Sequence, residues 1–348
     1  MGLINLLKKK KNRKILFTTP SHSQGFFLVN KYRQFYRNDI SETDTHNPQK
    51  ALSEAESRAS KIYGTKFTKF LTNGSTSGII AAVLSCVNPN EKVLIWDHAH
   101  PCHLNAVKLA GAVPVFYSVP IVEDWGVFGA VETDEIFAKI KENNISALIV
   151  TSPSYEGIIS DVKKLAKICH DKNIKLIVDE AHGALYPFSD ELPETSIGIA
   201  DFTVQSLHKT AGGLNPTALL HSIKIDPSKA LEMINTTSPS YPLLMSIEKN
   251  INYLASQRGK RKIKELINQI KDLKQGCNGI EFGGDDITKI LVKKDGLTGE
   301  KFSEILFDKF NIEDEKTNTI STMLLCGIGT DTSKIKRLKK ALIRIGRK

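Results

Sequence analysis

Three short stretches of the sequence contain residue types that could act together on one substrate. Lys209 offers an amine directly after the strand-like run 200–204. Asp179 follows the apolar run 176–178 and offers a carboxylate, while residues 74–77 (Gly-Ser-Thr-Ser) form a turn rich in hydroxyl groups. An amine that bonds an aldehyde, a carboxylate that keeps a ring nitrogen protonated and a turn that holds a phosphate are what pyridoxal phosphate (PLP) requires. These residues, in this order, predict PLP as the cofactor.

Lys209 and Asp179 each have an ordinary interpretation as well. A lysine after a strand is commonly an exposed surface residue, and an aspartate at a strand end is commonly a turn or helix-capping residue. A half-buried lysine, however, has a lowered pKa and can attack an aldehyde. The carboxyl end of a strand in an open α/β sheet is also where ligands bind. The combination of the two residues favours the catalytic interpretation.

Ser75 and Thr76 are the predicted phosphate contacts, since they lie between a strand and a helix. A phosphate there meets free backbone N–H groups, hydroxyl donors and the positive end of a helix dipole. Ser206 and His208 would add donors from the other side. Ser and Thr are also ordinary helix-capping residues, so this turn by itself is weak evidence.

A cluster of histidines follows the strand-like run 92–96. His100 could stack on a pyridine ring and contact a substrate carboxylate. The alternative is a metal site, because His98, His100 and His103 are crowded together. No acidic or thiol residue completes a ligand set at the usual metal spacing, so we predict no metal.

Length and composition limit the class of protein. A chain of 348 residues with 41% hydrophobic residues can bury a full core. No apolar run is long enough to span a membrane, and the N-terminus places its apolar residues before its lysines, the reverse of a signal peptide. Five scattered cysteines without a CxxC pair indicate free thiols in a reducing compartment. These features predict a cytoplasmic protein.

The net charge of +10 is concentrated at the two ends of the chain. Residues 1–14 carry six Lys or Arg and residues 334–348 carry eight, with no acidic residue in either segment. The rest of the chain is therefore mildly acidic, which is typical of solvated basic tails. We expect no nucleic-acid partner.

Strand-like and helix-like runs alternate from residue 51 onwards. The short β-rich runs are apolar on both faces, as in a sheet covered by helices on both sides. We therefore predict an α/β fold with an N-terminal arm at 1–50, a cofactor-binding large domain at 51–240, and residues 241–348 as a long helix (about 246–275) followed by a small α+β domain.

Six motifs together resemble the bacterial ornithine/lysine/arginine decarboxylase family of fold type I PLP enzymes. They are residues 19–25 (Thr-Pro-Ser-His-Ser-Gln-Gly), 72–77 (Thr-Asn-Gly-Ser-Thr-Ser), 100–102 (His-Pro-Cys), 151–157 (Thr-Ser-Pro-Ser-Tyr-Glu-Gly), 178–184 (Val-Asp-Glu-Ala-His-Gly-Ala) and 205–210 (Gln-Ser-Leu-His-Lys-Thr). The resemblance runs from about residue 17 to 345 and implies a mostly parallel seven-stranded sheet between helices, with PLP bound at its edge.

The resemblance also implies roles for individual residues. Lys209 becomes the Schiff-base lysine, Asp179 the partner of the ring nitrogen, His100 the stacking residue and Ala181 the contact on the other ring face. The remaining cofactor contacts are Ser75, Thr76, His182, Ser206 and His208. A homodimer with shared active sites is implied, in which the segment around His22 completes the neighbour's site.

The sequence departs from the family pattern at several points. We expect the N-terminal wing and separate C-terminal domain of the larger members to be missing, and Pro101-Cys102 replaces the usual Lys-Ser beside the stacking histidine. Residues 214–217 (Leu-Asn-Pro-Thr) also differ from the commoner Leu-Thr-Gln segment. We expect these departures to affect assembly and substrate choice and to leave the cofactor chemistry intact.

Decarboxylation of an amino acid, most simply a basic one, is the predicted reaction. Aminotransferases of this fold usually bind the α-carboxylate with an arginine, and no arginine occurs between Arg58 and Arg258. Arg258, Arg261 or Arg337 could still approach the site, so an aminotransferase, lyase or racemase stays open, as does a catalytically silent regulatory subunit. Glu156 and Glu42 are candidates to bind a basic head group.

Overall fold

A seven-stranded sheet forms the centre of the computed structural model, which describes residues 50–347 together with Leu3 and Asp39. The strands, numbered along the chain, are β1 (Phe67–Leu71), β2 (Lys92–Trp96), β3 (Val113–Tyr117), β6 (Ile145–Thr151), β7 (Lys175–Asp179), β8 (Phe202–Ser206) and β9 (Ala218–Ser222). Their order is β1-β9-β8-β7-β6-β2-β3. The short strands β4 (Ile121–Val122) and β5 (Val127–Phe128) form a separate hairpin.

The central sheet is mostly parallel, as predicted. Neighbours from β8 through β7, β6 and β2 to β3 run parallel, while β9 is antiparallel to both β8 and β1. All residues of β8 and β9 are buried. Strands covered on both faces need apolar side chains on both faces, which explains the Val, Ile and Leu runs of β2, β6 and β7. The α/β fold-type-I prediction is confirmed.

Among the described residues, nine α-helices precede the second sheet. They are α1 (Lys50–Tyr63), α2 (Gly74–Cys86), α3 (Pro101–Leu109), α4 (Thr133–Glu142), α5 (Val162–His170), α6 (Leu207–Thr210), α7 (Ser228–Ile234), α8 (Tyr241–Ala255) and α9 (Gln257–Gln275). The last of them, α9, leads into that sheet. Helix α2 packs tightly on the sheet at Gly78, where an added Cβ would come within 2.7 Å of the Leu71 side chain. This close approach fixes the start of α2 at the carboxyl end of β1.

The prediction of one long helix at 246–275 is wrong, because two helices meet at Ser256. Helix α8 ends at Ala255, and Ser256 has an extended conformation while its hydroxyl oxygen accepts the Gly259 N–H at 3.1 Å. A serine in this position starts a new helix. Gly259 then lies so close to the Tyr253 carbonyl that no side chain would fit. The apolar pattern alone did not indicate this break.

The C-terminal part of the chain forms a second, antiparallel sheet. Its strands β10 (Glu281–Gly283), β11 (Lys289–Lys293), β12 (Lys316–Thr317) and β13 (Thr322–Leu325) have the order β10-β11-β13-β12. Helices α10 (Gly299–Phe310) and α11 (Thr332–Gly346) pack with α9 around a core that includes Ile290, Phe302 and Leu342. Two lysines of this sheet, Lys289 and Lys316, extend toward the large sheet.

Two other expectations concern the domain limits of the chain and membrane-spanning helices. The N-terminal arm at 1–50 falls almost wholly outside the described residues, and the boundaries at 51–240 and 241–348 stay predictions. Among residues 50–347, every helix falls short of the length and apolar character that a bilayer crossing requires.

Candidate active site

A cavity of about 460 Å³ lies at the carboxyl ends of the central strands of the large sheet. It is closed on one side by the start of α2 and on another by the loop that follows β6. Eight of the nine predicted catalytic and cofactor-binding residues line it, all but Ser206: Ser75, Thr76, His100, Asp179, Ala181, His182, His208 and Lys209. The fold thus brings together residues from four separate motifs, because strand ends meet at one edge of the sheet.

Asp179 ends β7 and is buried with both carboxylate oxygens engaged. Its Oδ2 lies 3.0 Å from His103 Nε2, and its Oδ1 accepts the Ala181 N–H at 3.1 Å. Burial pushes the pKa of Asp179 upward, but the His103 hydrogen bond and the positive charge of Lys209 outweigh it and hold the pKa below its usual value. The carboxylate is therefore ionised at neutral pH and directed to the cavity.

Lys209 lies on α6, the single helical turn that follows β8. Its Nζ is 2.9 Å from His182 Nε2 and about 6.0 Å from the centre of the Tyr155 ring. Burial lowers the pKa of Lys209, although the nearby Asp179 carboxylate opposes the shift. A lowered pKa makes the neutral, nucleophilic amine easier to populate.

The predicted phosphate turn is the first turn of α2 itself. The helix starts at Gly74, so Ser75 and Thr76 stand at its N-terminus and not in a loop before it. Gly74 has φ of +74°, a conformation that favours glycine. Backbone N–H groups at a helix start have no partner within the helix and suit an anion.

Ser206 and His208, the other two predicted phosphate contacts, lie at the end of β8 and on α6. Ser206 Oγ is buried at the end of β8, and among the described residues it has no hydrogen-bond partner. His208 lines the cavity, and its Nδ1 lies 3.0 Å from the Thr217 carbonyl oxygen. If Nδ1 donates to that carbonyl, Nε2 is free to bind a ligand.

The crowded histidines have different surroundings. His100 lines the cavity and accepts the Cys102 N–H on Nδ1 at 3.2 Å, which caps α3. Burial lowers the pKa of His100. His103 lies behind Asp179 and is fully buried, whereas His98 is exposed and bonds Asp97. The three histidines therefore do not share one centre.

A different group has potential metal-ligand atoms within 4.8 Å of one another: Cys102, His103 and Asp179. Sequence spacing missed this grouping because Asp179 lies far along the chain. Burial raises the pKa of Cys102 to about 12, so its thiol stays protonated. His103 and Asp179 already bond each other. Metal ligation requires deprotonated thiols, and the chemistry of this group does not favour it.

Sequence reasoning missed several residues that complete the cavity. Tyr155 and Lys316 line it, and Lys289 lies behind His182. Glu156, a predicted head-group ligand, also lines the cavity and pairs with Lys316 at 2.5 Å. Glu42 and the His22 segment lie outside the described residues. The two lysines come from the C-terminal sheet, where no local motif indicated a site.

Comparison with known proteins agrees with this geometry. The family model described as "Orn/Lys/Arg decarboxylase, major domain" matches residues 3–290. The chain belongs to this family. An arginine decarboxylase of Bacillus subtilis is 28% identical over 97% of this chain and 76% of the relative. The lysine decarboxylase LdcA of Pseudomonas aeruginosa is 24% identical over 63% of this chain and 33% of the relative.

Solved structures show the same fold. A lysine decarboxylase of Francisella novicida superposes with a TM-score of 0.87 at 19% identity, covering 99% of this chain and 60% of that one. The chain thus spans less than two thirds of that structure. A ureidoglycine-glyoxylate aminotransferase of Bacillus subtilis superposes at 0.67 with 13% identity, covering 88% of this chain and 87% of that one.

PLP is the cofactor that this decarboxylase family and fold indicate, and the cavity fits it. The hydroxyls of Ser75 and Thr76 stand at a helix start suited to a phosphate, and Ser206 Oγ, which does not line the cavity, is a buried hydroxyl with no hydrogen-bond partner among the described residues. Asp179 is an ionised carboxylate suited to a protonated ring nitrogen, and Lys209 is a half-buried amine with a lowered pKa. Each group that PLP needs has a suitable partner in one cavity.

Proposed function

We propose that this chain is a PLP-dependent decarboxylase that converts a basic amino acid (lysine, ornithine or arginine) to its amine and CO2. One observation supports this most directly. Lys209 and Asp179 lie in one cavity with a carboxylate, Glu156, while no arginine is among the described residues that line it. PLP, when bound, supplies the electron sink that allows CO2 to leave the amino-acid α-carbon.

The positions of the side chains in the cavity support the proposed cofactor contacts. Lys209 would hold the cofactor through its aldehyde, and Asp179 would keep the ring nitrogen protonated. His100 and Ala181 would contact the ring, and His182 lies beside the Lys209 amine. The phosphate contacts are Ser75, Thr76, Ser206 and His208. His103 supports Asp179 from behind, through the contact at 3.0 Å.

Among the described residues no arginine lines the cavity, which favours decarboxylation over transamination. An arginine that pairs with the α-carboxylate stabilises the ionised group and opposes its loss as CO2. Arg258 and Arg261 lie in the first turns of α9, and Arg337 donates to the Phe310 carbonyl oxygen, so none of the three lines the cavity. Lys209 and His100 remain as groups that can deliver a proton to the α-carbon once CO2 has left.

A basic head group is supported by the outer part of the cavity. The Glu156 carboxylate is buried and pairs with Lys316, whose Nζ also lies 4.9 Å from the centre of the Tyr155 ring. A carboxylate beside an aromatic face is a site for a cation. Lys316 is half exposed, and the ammonium or guanidinium of a substrate would compete with it for the Glu156 carboxylate.

We further propose a cytoplasmic homodimer that acts in amino-acid and polyamine metabolism. The five cysteines, which are all free, support a reducing compartment. The dimer with shared sites, completed by the segment around His22, rests on the family resemblance. The domain limits 1–50, 51–240 and 241–348 are part of the same proposal.

The test is a product screen. PLP-loaded protein would be incubated with the common amino acids and ornithine, and new amines would be identified by mass spectrometry. One amine, absent with Lys209→Ala, is the expected result, and it would also name the substrate. Lys175→Ala, a substitution at the first residue of β7, is the matched control and should leave the product unchanged.

Other outcomes would point elsewhere. Keto acids in place of amines would indicate an aminotransferase on the same fold. Failure of the purified chain to bind PLP would indicate a silent subunit. Amines formed equally well by the Lys209→Ala variant would remove Lys209 from its proposed role.

A further inference from the structure

Lys289 is a buried lysine that reaches the active site from the other sheet. It begins β11, is 0% exposed, and donates from Nζ to the Tyr155 carbonyl oxygen at 3.2 Å. Its Nζ also contacts Nδ1 of His182. The other ring nitrogen of His182, Nε2, lies 2.9 Å from Lys209 Nζ. One imidazole therefore connects two lysine amines.

The loop at 155–157 is shaped to admit this side chain. Gly157 has φ of +92°, and an added Cβ there would lie 2.7 Å from Lys289 Cγ. The Tyr155 ring packs edge-on to His182 with centres 4.8 Å apart, and it lies 5.6 Å from Lys289 Nζ. Burying a lysine is costly unless it has partners. The space beside Gly157 accommodates the side chain, and the Tyr155 carbonyl oxygen and His182 Nδ1 are its polar partners.

The charges around His182 keep its ring neutral. Burial lowers its pKa well below the usual value, and positive charge on the side chains that face it, Lys289, Lys209, His208 and Lys316, would lower it further. A neutral imidazole donates from one nitrogen and accepts on the other. Only one of the two lysines can therefore donate to the ring as an ammonium, and the other must accept as a neutral amine.

We propose that Lys289 is a positioning residue that takes up, through His182, the proton that Lys209 must lose before it bonds an aldehyde. This inference rests on the proposed role of Lys209. The transfer is balanced: Lys209 gives a proton to Nε2 of His182, and Nδ1 of His182 gives its own proton to Lys289. The ring changes tautomer, one ammonium becomes an amine, and the total charge is unchanged.

The surroundings of Lys289 suit it to hold this proton near neutral pH. Burial lowers the pKa of Lys289 to about 7, against the opposing effect of the Asp286 carboxylate, and the positive charge of Lys209 lowers it further. Glu315 and Glu156 also face Lys289 and favour its charged form. Because a positive charge on one lysine disfavours a positive charge on the other, the pair carries one positive charge more readily than two.

The test measures how fast the full chain, stripped of PLP, bonds added PLP as pH is varied. The absorbance of the bound cofactor reports the bond, and the pH midpoint of the rate reports the apparent pKa of the Lys209 amine. Lys289→Met removes the amine that takes up the proton and should raise this midpoint by about one unit, with about a tenfold slower reaction at neutral pH. Lys289→Arg keeps a permanent charge and should lower it.

A shift of the pH midpoint upward in Lys289→Met and downward in Lys289→Arg distinguishes the relay from a merely structural role, which would shift the midpoints of both variants in the same direction. Lys293→Met on the same strand is the matched control, since its Nζ bonds the Asp124 carbonyl oxygen far from the cavity, and it should match the wild type. Thermal melting would check that each variant is folded. Unshifted midpoints in both folded Lys289 variants would overturn the proposal.

A second measurement needs no variant at position 289. In full-length protein with ¹⁵N-labelled histidine, NMR should show both ring nitrogens of His182 responding to pH near neutrality while the ring stays uncharged. His182→Gln would assign the signals. Signals fixed in one tautomer would overturn the relay. Failure of the wild-type protein to bond PLP at all would instead contradict the proposed function.

Discussion

Asp179 and Glu180 are adjacent carboxyl groups on opposite sides of one strand end, and their pKa values shift in opposite directions. Both are buried, with 6% and 1% of their surface exposed. Asp179 faces the cavity and meets His103 and Lys209, and its pKa is lowered. Glu180 faces away from the cavity, where burial raises its pKa to about 7.

Hydrogen bonds alone do not explain this difference. Glu180 accepts from the Thr195 hydroxyl at 2.7 Å, the Ser196 N–H at 2.5 Å and Gln205 Nε2 at 2.6 Å. These donors are neutral, and together they do not offset the cost of burying a charge. Asp179 has a cation in reach, and cations stabilise an ionised carboxylate far more in a buried site. The His103 hydrogen bond together with the positive charge of Lys209, which have no counterpart at Glu180, therefore separate the site carboxylate from the structural one.

The largest expected effect comes from the carboxylate beside the cations. Asp179→Asn keeps the shape but removes the charge that would hold a ring proton, so kcat/KM for amine formation should fall by roughly 100-fold or more. Glu180→Gln is the matched control one residue away and should change kcat/KM by less than about threefold. Equal losses in the two folded variants would contradict the division of roles.

An intermediate effect is expected from the residue behind Asp179. His103→Phe fills the space but removes the N–H, so it should raise the pKa of Asp179 and lower kcat/KM by roughly 10-fold. Because ionised Asp179 is the active form, the acidic limb of the pH profile should move to higher pH. His103→Gln retains an N–H donor and should restore part of the loss; an unchanged acidic limb in His103→Phe would show that His103 does not tune Asp179.

The smallest effect on activity, but a distinct one on stability, is expected at Glu180. Its folded pKa of about 7 lies above the ordinary value of 4.5, so protonated Glu180 contributes stability that is complete below 4.5 and is lost as pH rises through 7. From about pH 5 to pH 8, the unfolding free energy of the wild type should fall by on the order of 2 kcal/mol relative to Glu180→Gln. Denaturant titrations at several pH values would measure it, and parallel pH curves would contradict it.

Much of the large sheet and its edge could be predicted from local patterns. Unbroken Val, Ile and Leu runs predicted buried parallel strands, and the polar residues after them marked the edge where Asp179 and Lys209 meet. Helix limits were less predictable. The break at Ser256 depends on a serine cap and on the contact of Gly259 with the Tyr253 carbonyl, and the repeat of Ile and Leu continues through it.

The sequence by itself determined which groups could do PLP chemistry, because strand ends in a parallel sheet meet at one edge whatever the details of packing. The tertiary structure decided how those groups are tuned. His103 behind Asp179, and Lys289 behind His182, lie 76 and 107 residues from their partners along the chain. No local pattern encodes such contacts, since they arise only when separate elements pack and exclude water. Burial and neighbouring charge then set each pKa, and those are properties of the folded chain.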